Sequence, residues 1–131
     1  MQPKTPMEYS CTELNYLINN VCFGNEADAM SLIKNLRTEI LALGICCDPT
    51  SQSFVSIEDI SSRKHKLVGS SGLLGLFSLS KYLREIVFLD GQFEYNYYTF
   101  VASIRAIISY LDELMLHLGK GKSYRCTCHI E

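Results

Sequence analysis

Residue types able to bind metal or act as nucleophiles are few in this chain, and their spacing limits what they can do. Cys126-Thr127-Cys128-His129 groups potential ligands near the C-terminal end. A zinc knuckle separates its cysteines by two residues and closes with a fourth ligand nearby. Here the spacer is a single residue and no fourth ligand is close, so ordinary thiols are the better reading. Oxidation to an intermolecular disulfide is the chemistry left to them. Cys46 and Cys47 are adjacent, which suits one packed and one exposed thiol better than a redox pair. His65, His117 and His129 are the histidines, and none stands in a recognisable nucleophile, metal or acid–base motif. Gly69-Ser70-Ser71-Gly72 is too short for a phosphate loop and lacks the Gly-Lys-Ser/Thr ending. Glu8, Glu13, Asp112 and Glu113 read as helix caps and solvated faces. The expectation is a protein with no catalysis, no metal and no cofactor.

Those residues sit on elements whose periodicity is helical throughout. Ser10-Cys11-Thr12-Glu13 has the form of a capping box. Leu14, Leu17, Ile18 and Val21 then make one apolar face, and Gly24 is a stop. Asn25 caps a second helix with Glu26 and Asp28 at the positive end of its dipole. Ala29, Leu32, Ile33, Leu36, Ile40 and Leu43 recur along it at helical spacing, and Gly44 supplies its end. Asp48-Pro49 marks a turn. Ser56 and Asp59 start a third, shorter helix carrying Ile57, Ile60 and Leu67, which Gly69 to Gly72 should break. From Leu73 to Leu89 apolar residues cover nearly the whole circumference, which predicts a buried helix surrounded by others. After the Asp90-Gly91 turn, a last helix opens within 94–99. It carries Phe100, Val101, Ile104, Ile107, Ile108, Leu111, Leu114, Met115 and Leu118 inward, with Arg105, Asp112 and Glu113 outside. Gly119 ends it.

The expected architecture is all-α: a hairpin of the buried helix and the long amphipathic one, wrapped by shorter helices. A chain of 131 residues fits one domain, with an ordered core over about 8–120 and a tail over 121–131. Its 47% hydrophobic content excludes disorder, and a net charge of −2 with scattered basic residues gives no stripe for nucleic-acid phosphates. The N-terminal Met-Gln-Pro-Lys-Thr-Pro lacks the apolar region of a secretory signal. The longest uncharged stretch, Leu67 to Ser80, is too short for a membrane span or anchor. A soluble protein inside a cell is expected, with its cysteines reduced.

Two segments carry a family resemblance. Phe54-Val55-Ser56-Ile57-Glu58-Asp59-Ile60 through Leu67-Val68-Gly69-Ser70-Ser71-Gly72-Leu73 resembles the first homology motif of the Bcl-2 family and the helix before it. Ser109-Tyr110-Leu111-Asp112-Glu113-Leu114 resembles the family's sixth helix. Met30 to Arg37 and Thr99 to Leu118 look like stretches of poxviral members. The resemblance covers about residues 8–122. It implies a Bcl-2-like helical bundle in which Gly72 opens the central helix, of the kind carried by large DNA viruses of the iridovirus or poxvirus type.

By that resemblance, Leu36, Ile40, Leu43, Ile57, Ile60, Arg63, Lys64, Gly72, Leu73, Leu76 and Phe77 would line a groove for a partner helix. The partners implied are pro-apoptotic Bcl-2 proteins of the Bim, Bak or Bax type, and the outcome is inhibition of host apoptosis. The place implied is the host cytoplasm, peripheral to mitochondria. One departure stands out: the arginine that usually follows the motif glycine is Leu73 here. Arg63, Lys64 and Lys66 are the nearest substitutes for its charge, and a narrow ligand range follows. A Bcl-2 fold with a closed groove that blocks innate immune signalling (the NF-κB pathway) through outer surfaces is the alternative. An unrelated helical scaffold is the third reading. Homodimerisation is compatible with all three.

Overall fold

Residues 11–48, 56–86 and 97–119 are described by the computed structural model. Their elements are α1 (Cys11–Tyr16), a π turn (Leu17–Val21), α2 (Glu26–Cys46), α3 (Ile57–Leu73), α4 (Phe77–Glu85) and α5 (Tyr97–Gly119). The described residues form helices only, in keeping with the all-α class. Asn25 Oδ1 accepts from Asp28 N at 3.0 Å and Ser56 Oγ from Asp59 N at 3.2 Å, so α2 and α3 start at their expected caps. Phe23 and Gly24 both take positive φ, 53° and 87°, and this reversal ends the first helical segment.

Two helix pairs build the core. In the first, α2 and α5 run antiparallel. Arg37 Nε donates to Asp112 Oδ1 at 2.8 Å near one end, while Gly44 faces Ile104 nearer the other. Ala29, Ile33, Leu36, Ile40 and Leu43 of α2 are buried against Phe100, Ile104, Ile107, Leu111 and Leu114 of α5. Each such side chain contributes about 1.5–3 kcal/mol when fully buried. Arg37–Asp112 is half-exposed and adds little beside that. Gly44 is not the expected stop, because α2 continues to Cys46. A Cβ at that position would come within 3.3 Å of Ile104 Cγ2. The glycine therefore serves the approach of α5 and not the helix end.

The second pair, α3 and α4, corrects the sequence expectation most. Gly69 to Gly72 do not break α3, which runs through them to Leu73. Its actual stop is Gly75, at φ 80°. Leu76 N donates to Ser71 O and Gly75 N to Gly72 O, both at 3.0 Å, the two crossed bonds of a Schellman ending. Of the small residues upstream, Gly72 serves a close helix crossing. Ser80 Oγ donates to Val68 O at 2.9 Å, and a Cβ on Gly72 would lie 3.6 Å from Ser80 Oγ.

The helix expected to open at Gly72 and be buried all round is likewise corrected. Gly72 lies one residue before the end of α3, and α4 spans only Phe77–Glu85. That short helix is amphipathic. Leu79, Ser80, Tyr82 and Leu83 face in, while Phe77, Lys81, Arg84 and Glu85 face out. Leu73, the last residue of α3, is 80% exposed. The described residues pack as two helix pairs, with no helix among them buried on all sides. Val87 and Leu89, expected to extend the buried helix, lie outside the described residues.

The turn glycine and the mid-helix glycine respond oppositely to a methyl group. At Gly75 an added Cβ overlaps the Tyr16 ring and the backbone is left-handed; at Gly69 it meets nothing within 4 Å. Gly75→Ala is expected to lower the urea midpoint by the equivalent of about 1–3 kcal/mol. Gly69→Ala is expected to raise it by about 0.5–1 kcal/mol, the difference in helix propensity.

Candidate functional site

The residues expected to line a groove separate into four groups. Leu36, Ile40, Leu43, Ile60 and Leu76 are buried in the core at 3% exposure or less. Burial on this scale leaves them no apolar surface to offer a partner. Leu73 and Phe77 are exposed, as is Arg63. Ile57 and Gly72 lie in the first and last turns of α3. Lys64, expected as a cation for a ligand, is half-buried and caps α4 instead. Its Nζ donates to Ile86 O at 2.8 Å and Arg84 O at 3.3 Å, satisfying carbonyls at a helix end. Burial pulls the pKa of this ammonium below its ordinary value.

Between α2 and α3 lies a cleft of about 500 Å³ lined by Glu39, Asp59, Ser62, Arg63 and Lys66 over a floor that includes Leu43 and Leu67. Two acids and two bases at its walls suit a small polar group. They do not suit a row of apolar side chains, whose burial would strand charges against hydrocarbon.

A second polar cluster holds α1 to the bundle. Glu13, expected on a solvated face, is only 9% exposed. Ser78 Oγ donates to its Oε2 at 2.5 Å and Ser78 N at 3.3 Å, and Tyr110 OH donates to Oε1 at 3.4 Å. Leu76, at the N-cap of α4, makes no side-chain cap bond. The carboxylate from α1 therefore supplies an acceptor and a negative charge at that helix start. Beside it the Tyr16 ring lies over Gly75 and meets the Phe77 ring at 5.8 Å between centroids. Burial and the Glu13 carboxylate together push the Tyr110 hydroxyl well above its ordinary value.

His65 stands on the outer face of α3. With 3.6 residues per turn, Ser61 and Ser62 lie one turn before it and Val68 and Gly69 one turn after. His65, Ser61, Ser62 and Gly69 are exposed, Val68 is partly buried against the core, and the opposite face carries buried Ile60, Leu67 and Ser71. The imidazole is thus flanked on its exposed side by two hydroxymethyl groups and a bare backbone. His117 is placed differently, half-buried with Nε2 4.0 Å from Glu113 Oε2. In the sequence His65 stands in no recognisable nucleophile motif, and Gly69 to Gly72 read as the end of its helix. Once α3 is continuous, small residues at both flanking turns become the signal.

Other chemistry is thin among the described residues. No group of three or more His, Cys, Asp or Glu side chains is placed to hold a metal ion there. Burial and nearby Asp28 push the Cys22 thiol up, away from a nucleophilic thiolate. No described helix is long and apolar enough to cross a membrane. Cys126, Cys128 and His129 lie outside the described residues. Taken together, fold and site define a helical bundle with an exposed histidine face. No family model matches the chain, and neither a curated protein nor a solved structure does.

The Tyr110 shift has a signed consequence. A hydroxyl kept protonated by the fold adds stability that is complete below the unfolded value, near pH ~10, and lost as pH rises above it. Thermal melts of wild type and Tyr110→Phe from pH 8 to 11 should show a steeper alkaline decline in wild type. Equal slopes would mean that the Glu13 contact does not persist in solution.

Proposed function

We propose that this bundle is a protein-docking carrier that holds a transferable phosphoryl group on the imidazole of His65. The observation that carries the reading is the bare helix face around this side chain. Imidazole nitrogen is a nucleophile able to form covalent intermediates. For that chemistry another protein's active site must descend over the ring, and bulky neighbours one turn away would obstruct it. Here those neighbours are Ser61, Ser62 and Gly69, all exposed, and Val68, which is partly buried against the core. Gly69 supports the reading independently. A glycine inside a helix costs about 1 kcal/mol relative to alanine, and no packing contact at this position accounts for it.

Direction of transfer follows from the setting. His65 lies on an open face and not in an enclosing cleft, so the groups that activate the phosphoryl belong to a partner. A phosphohistidine bond has high transfer potential, so the donor is of similar energy, such as an acyl phosphate on a partner carboxylate. The donor P–O bond breaks, its electron pair leaves with the carboxylate, and a P–N bond forms on His65. The carrier contributes a rigid nucleophile on an open helix face.

Incubation with phosphoramidate is expected to place an acid-labile phosphate on His65, read by mass spectrometry, and His65→Gln should lose it. Equal labelling of that variant at the peptide spanning residue 65, or none in wild type, overturns the reading.

A second reading is favoured by the exposure of Leu73 and Phe77, both groove candidates by the Bcl-2 resemblance. It is a virus-encoded inhibitor of host apoptosis that sequesters pro-apoptotic helices. With Leu36, Ile40, Leu43, Ile60 and Leu76 in the core, this proposal leans on outer surfaces. That moves it toward the closed-groove alternative, interference with innate immune signalling. Titration against a panel of Bim-, Bak- and Bax-type helical peptides separates the two. A dissociation constant below about 10 μM, roughly −7 kcal/mol, supports apoptosis inhibition, and uniformly weaker binding removes it.

A further inference from the structure

The exposed face of α3 does not end at His65. Leu73 lies eight residues further on, which places it ~12 Å along the axis and turned by about 80°. It is 80% exposed, and Phe77 at the start of α4 is 55% exposed. Isolated exposed apolar residues need no explanation, but these two flank one fixed turn. Gly75, left-handed at φ 80°, turns the chain between them. Tyr16 lies against that turn, and its ring meets Phe77 at 5.8 Å. Tyr16 is itself 39% exposed, so Phe77 and Tyr16 form an exposed aromatic pair beside the turn that Leu73 precedes. An aromatic group fixed in this way loses little freedom when covered, which is the condition for an anchor.

We infer that Leu73 and Phe77 form the docking ledge for the partner that exchanges a phosphoryl group with His65, a protein whose reactive carboxylate sits in an acidic pocket with an apolar rim. The inference rests on the carrier reading. Two observations select this occupant. The first is reach: a specific interface covers about 800 Å² on each partner, a disc of radius ~16 Å, so a protein centred on His65 extends past Leu73. The second is charge. Lys66 on α3 and Lys81 and Arg84 on α4 are exposed on the two helices that meet at this turn, and they complement an acidic site in both attraction and approach rate. In this arrangement His65 receives the group, and the ledge sets which protein can deliver it.

The test separates ledge from nucleophile by using two donors. One is phosphoramidate, too small to touch the ledge. The other is a panel of purified proteins from the same cell, loaded on aspartate with acetyl phosphate and Mg²⁺. Leu73→Ser and the double variant Leu73→Ser/Phe77→Ser should accept phosphate from phosphoramidate at the wild-type rate, which also shows that the bundle is intact. From the protein donor, transfer should fall at least tenfold in the double variant, and less in the single one. Undiminished transfer from the protein donor overturns the ledge and leaves the carrier reading standing. So does the absence of transfer to wild type from every donor in the panel when phosphoramidate labels it. A concentration-dependent dimer of wild type that Leu73→Ser abolishes assigns the ledge to a second copy and also overturns the proposal. Failure of phosphoramidate to label His65 removes the carrier reading itself.

Discussion

The crossing of α3 over α4 constrains everything on the outer face of the bundle. It is made close by Gly72 and Ser80, and fixed by the hydrogen bond from Ser80 Oγ to Val68 O. Leu76, Leu79 and Leu83 are buried beneath it. From the other side, Lys64 reaches the carbonyls of Arg84 and Ile86 and ties the middle of α3 to the far end of α4. With both ends fixed, α3 cannot roll. His65 therefore keeps a constant outward direction, and Leu73 stays at the corner where the chain reverses.

The second helix pair contributes rigidity of another kind. α2 and α5 meet along their full apolar stripes, with Gly44 admitting Ile104. This pair supplies most of the buried hydrocarbon and presents no chemistry of its own. The bundle thus divides its labour: one helix pair provides mass and stability, and the other displays side chains. Displayed side chains gain from such a base because a nucleophile on a helix is held more firmly than one on a loop.

Much of this was legible in the sequence wherever one residue or one period carried the signal. Asn25 and Ser56 announced their helices because a cap acts within three residues. The stripes on α2 and α5 were read from spacing alone, and so was the opening of α5 within 94–99. Misreadings arose where a distant partner overrode local preference. Gly69-Ser70-Ser71-Gly72 looks like a break, but α4 packs against it and the helix persists. The apolar run after Gly72 looked like one buried rod, but Gly75 breaks it, leaving Leu73 at the end of α3 and Phe77, Leu79, Tyr82 and Leu83 in α4. Glu13 looked solvated because its partners, Ser78 and Tyr110, stand 65 and 97 positions away. The site suffered with the fold, since His65 had no visible setting until α3 was continuous.

Those long separations around Glu13 also order events during synthesis. α1 is made before α4 and α5, and even with the π turn that follows it is too short to persist as an isolated helix. Its carboxylate has nothing to grip until α4 and then α5 have been made. The Glu13 contacts therefore close late in assembly, Ser78 before Tyr110. The corner bearing Tyr16 and Phe77 is completed once α4 is in place.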